Sequence, residues 1–90
     1  MSFELEREGE VLTNLEIPAK VVLYNDEWHT FEEVINQLIK ALKCDIYTAE
    51  SITIEVHNKG KAIVFEGDLE DALKVSSILE EIDLSTEIFI

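Results

Sequence analysis

The chain is poor in cysteine, proline, glycine and basic residues. It has one Cys, one Pro, three Gly and seven Lys or Arg among 90 residues. A lone thiol, Cys44, excludes an internal disulfide framework. Cys44 follows the apolar pattern Leu38, Ile39, Ala41, Leu42 and reads as a small filler of the core. No His stands close to it in sequence, so a catalytic thiol has little support. A glycine-rich phosphate loop, a nucleophile elbow, paired cysteines and His-Glu-x-x-His are all missing. There is no internal repeat and no low-complexity tract. No apolar run approaches the roughly eighteen residues of a membrane span. The opening stretch carries Glu4, Glu6, Glu8 and Glu10 and no apolar run, unlike a signal peptide. A cytoplasmic, reducing compartment is therefore expected.

Acid is abundant. Twenty Asp and Glu against seven bases give a net charge of −13. Such a surface repels phosphate backbones, which argues against nucleic acid as a partner. Solubility is the plain meaning of this charge. A locally acidic rim also favours cationic ligands. At 47% apolar the chain can bury one core, and its length fits one domain of marginal stability. Residues 1–19 read as an acidic, poorly periodic arm ending near Pro18, and residues 20–90 as the folded core.

Within the core the order reads strand, helix, helix, strand, helix, strand. Lys20 to Tyr24 is an apolar, β-branched strand halted by the turn formers Asn25 and Asp26. Thr30 and Glu33 form a capping box for a helix over residues 31–43, with Phe31, Val34, Ile35, Leu38, Ile39 and Leu42 at helical spacing. Asp45 caps a second helix that Gly60 ends, although the β-branched Ile52-Thr53-Ile54 tempts a strand. Lys61 to Phe65 is a strand and Gly67-Asp68 turns into a third helix. That helix shows Leu69, Ala72, Leu73, Ser76, Leu79 and Ile82 on one face. Glu87 to Ile90 closes as a strand. The sum is a small α+β sandwich, a three-stranded sheet with three helices on one face.

Two stretches carry chemistry. One is Tyr24-Asn25-Asp26-Glu27-Trp28-His29-Thr30-Phe31, directly after the apolar Val21-Val22-Leu23. The other is Glu55-Val56-His57-Asn58-Lys59-Gly60. An Asn, an acid and a His beside an apolar hole suit a cation with an apolar neighbour. The free amino terminus of a polypeptide, with its first side chain, is such a ligand. Plainer readings stand beside this one. Asn25-Asp26 after a strand is commonly only a turn. His57 near a helix end commonly complements the helix dipole. Phe31 and Val34 fit a plain core, and Glu32, Glu33 and Glu55 fit caps and a solvated face. Trp28 in a polar turn is either a contact surface or folded back on the core. His29, His57, Asp26 and Glu55 are candidates for a zinc site, without any standard spacing.

Together the two stretches resemble the ClpS adaptor family, which recognises N-degrons and delivers them to a Clp unfoldase. The matching pattern runs from about Val21 to Ile63. Asn-Asp-Glu-x-His-Thr is also similar to the ClpS-like domain of N-recognin ubiquitin ligases. The resemblance implies a non-catalytic, cofactor-free, monomeric adaptor. Its partners would be substrates beginning with Leu, Phe, Tyr or Trp and the N-terminal domain of a Clp AAA+ unfoldase. Amine binding carries over to Asn25, Asp26 and His57. The hydrophobic pocket carries over to Leu23, Phe31, Val34, Thr53 and Val56, and unfoldase docking to Glu70 and Lys74. Residues 1–19 resemble the extension that the unfoldase engages. Phe31 and Thr53 stand where many members carry Met, so the ranking among bulky residues is open. The rival readings are an interaction domain of the same fold without N-degron binding and a small metal-binding or acid–base enzyme.

Overall fold

The computed structural model of the chain describes residues 16–90. The elements are β1 (Pro18–Tyr24), α1 (Phe31–Leu42), α2 (Ile46–Lys59), β2 (Lys61–Asp68), α3 (Leu69–Glu80) and β3 (Thr86–Phe89). The strands form an open antiparallel sheet in the order β2–β1–β3. The helix α3 packs across all three strands, α2 against β2, and α1 on α2 and α3. This is the α+β architecture and element order read from the sequence. Among the described residues no helix is long and apolar enough to cross a membrane.

The helix ends are set by side chains. Thr30 accepts from the Glu33 N–H at 3.1 Å, and Glu33 accepts from the Thr30 N–H at 2.8 Å, closing the capping box. Asp45 accepts from the Thr48 N–H at 2.8 Å to start α2. Gly60, at φ 85°, stops α2 in the left-handed region that a residue without Cβ enters freely. These caps override the β-branched tract at residues 52–54. Asp68 starts α3 through the Asp71 N–H at 2.9 Å. Inside the sandwich Val21, Leu23, Leu38, Ala49, Ala72 and Leu79 are fully buried or nearly so.

Several boundaries differ from the sequence reading. The strand β1 begins at Pro18, and Ala19 is already buried in the core. The folded part therefore starts before residue 20; the arm assigned to residues 1–19 falls, over residues 1–15, outside the described residues. The strand β2 continues past Phe65 to Asp68, because those residues pair with the start of β1. Its register shifts between Val21 and Val22, which leaves Val64 as an extra residue on β2. The buried stripe of α3 is Ala72, Val75, Ser76 and Leu79, whereas Leu73 is 54% exposed. Leu73 lies off the i, i+3, i+4, i+7 row that Ala72 begins. Ile82 falls in the turn after α3.

Candidate functional site

Two backbone hydrogen bonds bring the sequence-distant stretches together. The Asn25 N–H donates to the Gly60 carbonyl at 2.9 Å, so the loop after β1 abuts the C-terminal end of α2. The Tyr24 N–H donates to the Ser85 carbonyl at 3.0 Å, which brings in the segment before β3. Between these segments lies a cavity of about 300 Å³. Its lining includes Leu23, Asn25, Asp26, Phe31, Val34, Thr53, Val56 and His57, all eight residues named from the sequence. Tyr24, Glu27, His29 and Leu84 complete it. Sequence reasoning placed His29 in the family motif and among candidate metal ligands but gave it no part in the pocket, and it passed over Leu84.

The inner wall is apolar and buried. Leu23, Thr53, Val56 and Leu84 are buried, and Val34 is half-buried. The Thr53 hydroxyl donates to the Ala49 carbonyl at 2.8 Å. Its polar end is thus satisfied within α2, and the methyl is the part free to meet a ligand. Phe31 stands at the rim, 45% exposed. Its ring meets the His57 imidazole edge-to-face, with centroids 5.1 Å apart and planes at 72°. The stiff aromatic ring therefore orients His57 as well as bounding the cavity.

The outer rim is polar. The hydrogen bonds among the described residues leave the Asn25 side-chain amide and the His57 ring unengaged. Asp26 is different. Its Oδ1 accepts the N–H groups of Trp28 and His29, both at 2.9 Å. Its Oδ2 contacts His29 Nδ1 at 2.7 Å. The other ring nitrogen, Nε2, meets the Ile82 carbonyl. Trp28, 84% exposed, stands in solvent and does not fold back on the core.

Burial opposes ionisation of Asp26, but the His29 N–H, the His29 ring and the Trp28 N–H outweigh it and hold its carboxyl below the usual range. The Ile82 carbonyl, and then Asp26, raise the His29 imidazole above its ordinary value against the cost of burial. The depressed Asp26 contributes stability that is present above its unfolded value of 3.8 and lost as pH falls through its folded value. The raised His29 contributes stability that is full below 6.5 and lost as pH rises through its folded value. Protection of the Trp28 and His29 amides from hydrogen exchange, corrected for intrinsic rate, is expected to be greatest between those limits. Asp26→Asn should flatten that profile.

Among the described residues no three His, Cys, Asp or Glu side chains gather as a metal site. Both ring nitrogens of His29 already have partners. Glu70 and Lys74 lie exposed on α3, one turn apart and outside the cavity. A wider, shallower depression of about 690 Å³ lies at the far end of β1, lined by Pro18, Lys20, Gly67 and Phe89 among others. Its Lys20 and Glu66 pair with each other at 3.8 Å, and Asp68 is occupied as a cap.

Comparison with known proteins decides the family. The family described as ATP-dependent Clp protease adaptor protein ClpS matches residues 15–86. The chain belongs to the ClpS family. Its likeness extends to the E3 ubiquitin-protein ligase UBR1 of Drosophila melanogaster, 39% identical over 66% of this chain. The E3 ubiquitin-protein ligase UBR2 of Homo sapiens is 33% identical over 82% of it. The chain spans only 3% and 4% of the length of those two proteins. In fold it matches the structure of Agrobacterium tumefaciens ClpS2 bound to L-phenylalaninamide, with TM-score 0.77 and 18% identity. That match covers 83% of this chain and 98% of the other.

Proposed function

We propose that this ClpS-family chain holds the free amino terminus of proteins that begin with Leu, Phe, Tyr or Trp and presents them to a Clp AAA+ unfoldase for proteolysis. The observation that carries the reading is the meeting of Asn25, Asp26 and His57 at the rim of a cavity with an apolar inner wall. An ammonium offers three N–H donors. A carboxylate has about four acceptor positions. Three at Asp26 are taken by its own loop, which leaves one. With the Asn25 oxygen and a His57 ring nitrogen as acceptor, the rim offers three acceptors for three donors. The first side chain then fills the space bounded by Leu23, Phe31, Val34, Thr53 and Val56.

The ClpS2 structure bound to L-phenylalaninamide supports this division, since that ligand joins an amine to a benzyl group. Each charge-assisted bond contributes about 1.5–3 kcal/mol, and filling the hole about as much. After association costs the affinity should be micromolar, about −8 kcal/mol. The role is binding without catalysis or cofactor, by a monomer in the cytoplasm. Glu70 and Lys74 on α3 are the proposed contacts for the unfoldase's N-terminal domain. The ligase relatives favour a second reading of the delivery step, in which the same pocket serves ubiquitylation instead.

Fluorescence anisotropy with peptides differing only in their first residue tests the capture step. Leu, Phe, Tyr and Trp should bind at least tenfold more tightly than Gly, Ser or Asp, a difference of about 1.4 kcal/mol or more. A flat series would leave an interaction domain with an inert pocket. Degradation of a Phe-starting reporter by a reconstituted Clp unfoldase–protease tests delivery. Reporter turnover that ignores added adaptor would shift the reading to ubiquitylation.

A further inference from the structure

His29 sits between two acceptors. Its Nδ1 faces the Asp26 carboxylate at 2.7 Å and its Nε2 faces the Ile82 carbonyl. A neutral imidazole has one N–H and one lone pair. It can satisfy only one of these partners and would point its lone pair at the other. A protonated Asp26 would resolve the conflict by donating to Nδ1, but two backbone N–H groups already converge on that carboxylate and favour its ionised form. The imidazolium, with two N–H groups, fits both partners. The pair is mostly shielded, with side chains 12% and 15% exposed. The charged or titratable groups around it are Asp26 in its own loop and Glu33 on α1. The turn after α3 supplies the Ile82 carbonyl between Glu81 and Asp83.

We propose that His29 is a positioning residue for the amine site: as an imidazolium it ties the loop of Asn25 and Asp26 to the turn after α3 and holds Asp26 with one oxygen position open to the cavity. This rests on the amino-terminus reading above. The tether joins the two halves of the pocket. Ile82 is two residues from Leu84, which forms part of the apolar wall, and Asp83 between them turns through φ 66°. One side chain thus links the polar rim to the part of the apolar wall that Leu84 forms. The cation also offsets the Asp26 charge, so Asp26 acts on an incoming ammonium chiefly as an aimed acceptor.

Ring-nitrogen NMR on protein carrying nitrogen-labelled histidine tests the protonation state. Both His29 nitrogens should carry protons at neutral pH, and titration should occur above 6.5. A single ring proton at neutral pH overturns the proposal without recourse to any variant. His29→Gln should weaken binding of a Phe-starting peptide about tenfold. The Asp26 carboxyl should then titrate nearer the ordinary carboxylate range, which a merely looser fold with the ion pair intact would not produce. Parent-like affinity in His29→Gln also overturns it. If the parent binds no amino terminus at all, the functional reading falls and the positioning role with it, while the ring spectrum still decides whether the tether exists.

Discussion

Acetylating the amino terminus of a Phe-starting peptide is expected to abolish its binding. The modification removes the positive charge and two of the three N–H donors, and it leaves the benzyl group untouched. Asn25, Asp26 and His57 then lose the partner that repays their desolvation on contact. Two lost charge-assisted bonds at about 1.5–3 kcal/mol each predict a loss of roughly 3 kcal/mol or more, above a hundredfold in affinity. Competition anisotropy with matched free and acetylated peptides measures it. Acetylated peptide that competes within about tenfold of the free one would reduce the site to a nonspecific apolar patch. The same pair of peptides also shows which half of the site dominates. The cavity holds about 300 Å³, at the lower limit of ligand pockets, so the apolar half alone offers little area.

The element order was legible because local and global signals agree. Thr30 with Glu33 and Asp45 with Gly60 mark the helix ends, and each mark is a hydrogen bond or a backbone conformation in the structure. The start of β1 was misread because Pro18 looks like punctuation. A proline is tolerated as the first residue of a strand, and Pro18 pairs there with Asp68 at the end of β2. On α3 the composition misled. Leu73 is the larger apolar residue, but the helical row from Ala72 runs through Val75, so the smaller side chain is buried.

The pocket residues were legible only through the family pattern. Nothing local to Asn25 or His57 distinguishes a turn or a helix end from a binding rim. The physical link is the Asn25 N–H on the Gly60 carbonyl, and no periodicity encodes that contact. His29 was less visible still. Its short-range partner Asp26 lies three residues away, as in many turns, but its second partner Ile82 is 53 residues distant. The Thr53 hydroxyl is a polar tip in an apolar wall, and its bond to the Ala49 carbonyl satisfies it.

Leu38→Ala and Phe31→Ala should separate cleanly, although both residues lie on the apolar row of α1. Leu38 is fully buried, and its truncation leaves a cavity that rigid neighbours cannot close. The expected cost is about 2–5 kcal/mol, enough to unfold much of a domain this small. Phe31 is 45% exposed and meets His57 by an edge contact. Such a contact contributes about 0.5–1.5 kcal/mol beyond its area, so Phe31→Ala should unfold the domain far less. Its effect should appear in recognition. Without the ring the rim opens, His57 loses the face that orients it, and β-branched Ile and Val should gain access. Phe31→Met should reorder Leu, Phe, Tyr and Trp, because a flexible thioether fills the rim differently. Chemical denaturation and the first-residue peptide series, run on the same variants, measure both effects. If Phe31→Ala loses as much stability as Leu38→Ala while the ranking stays fixed, Phe31 is a core residue, and the gate of this pocket lies elsewhere on the rim.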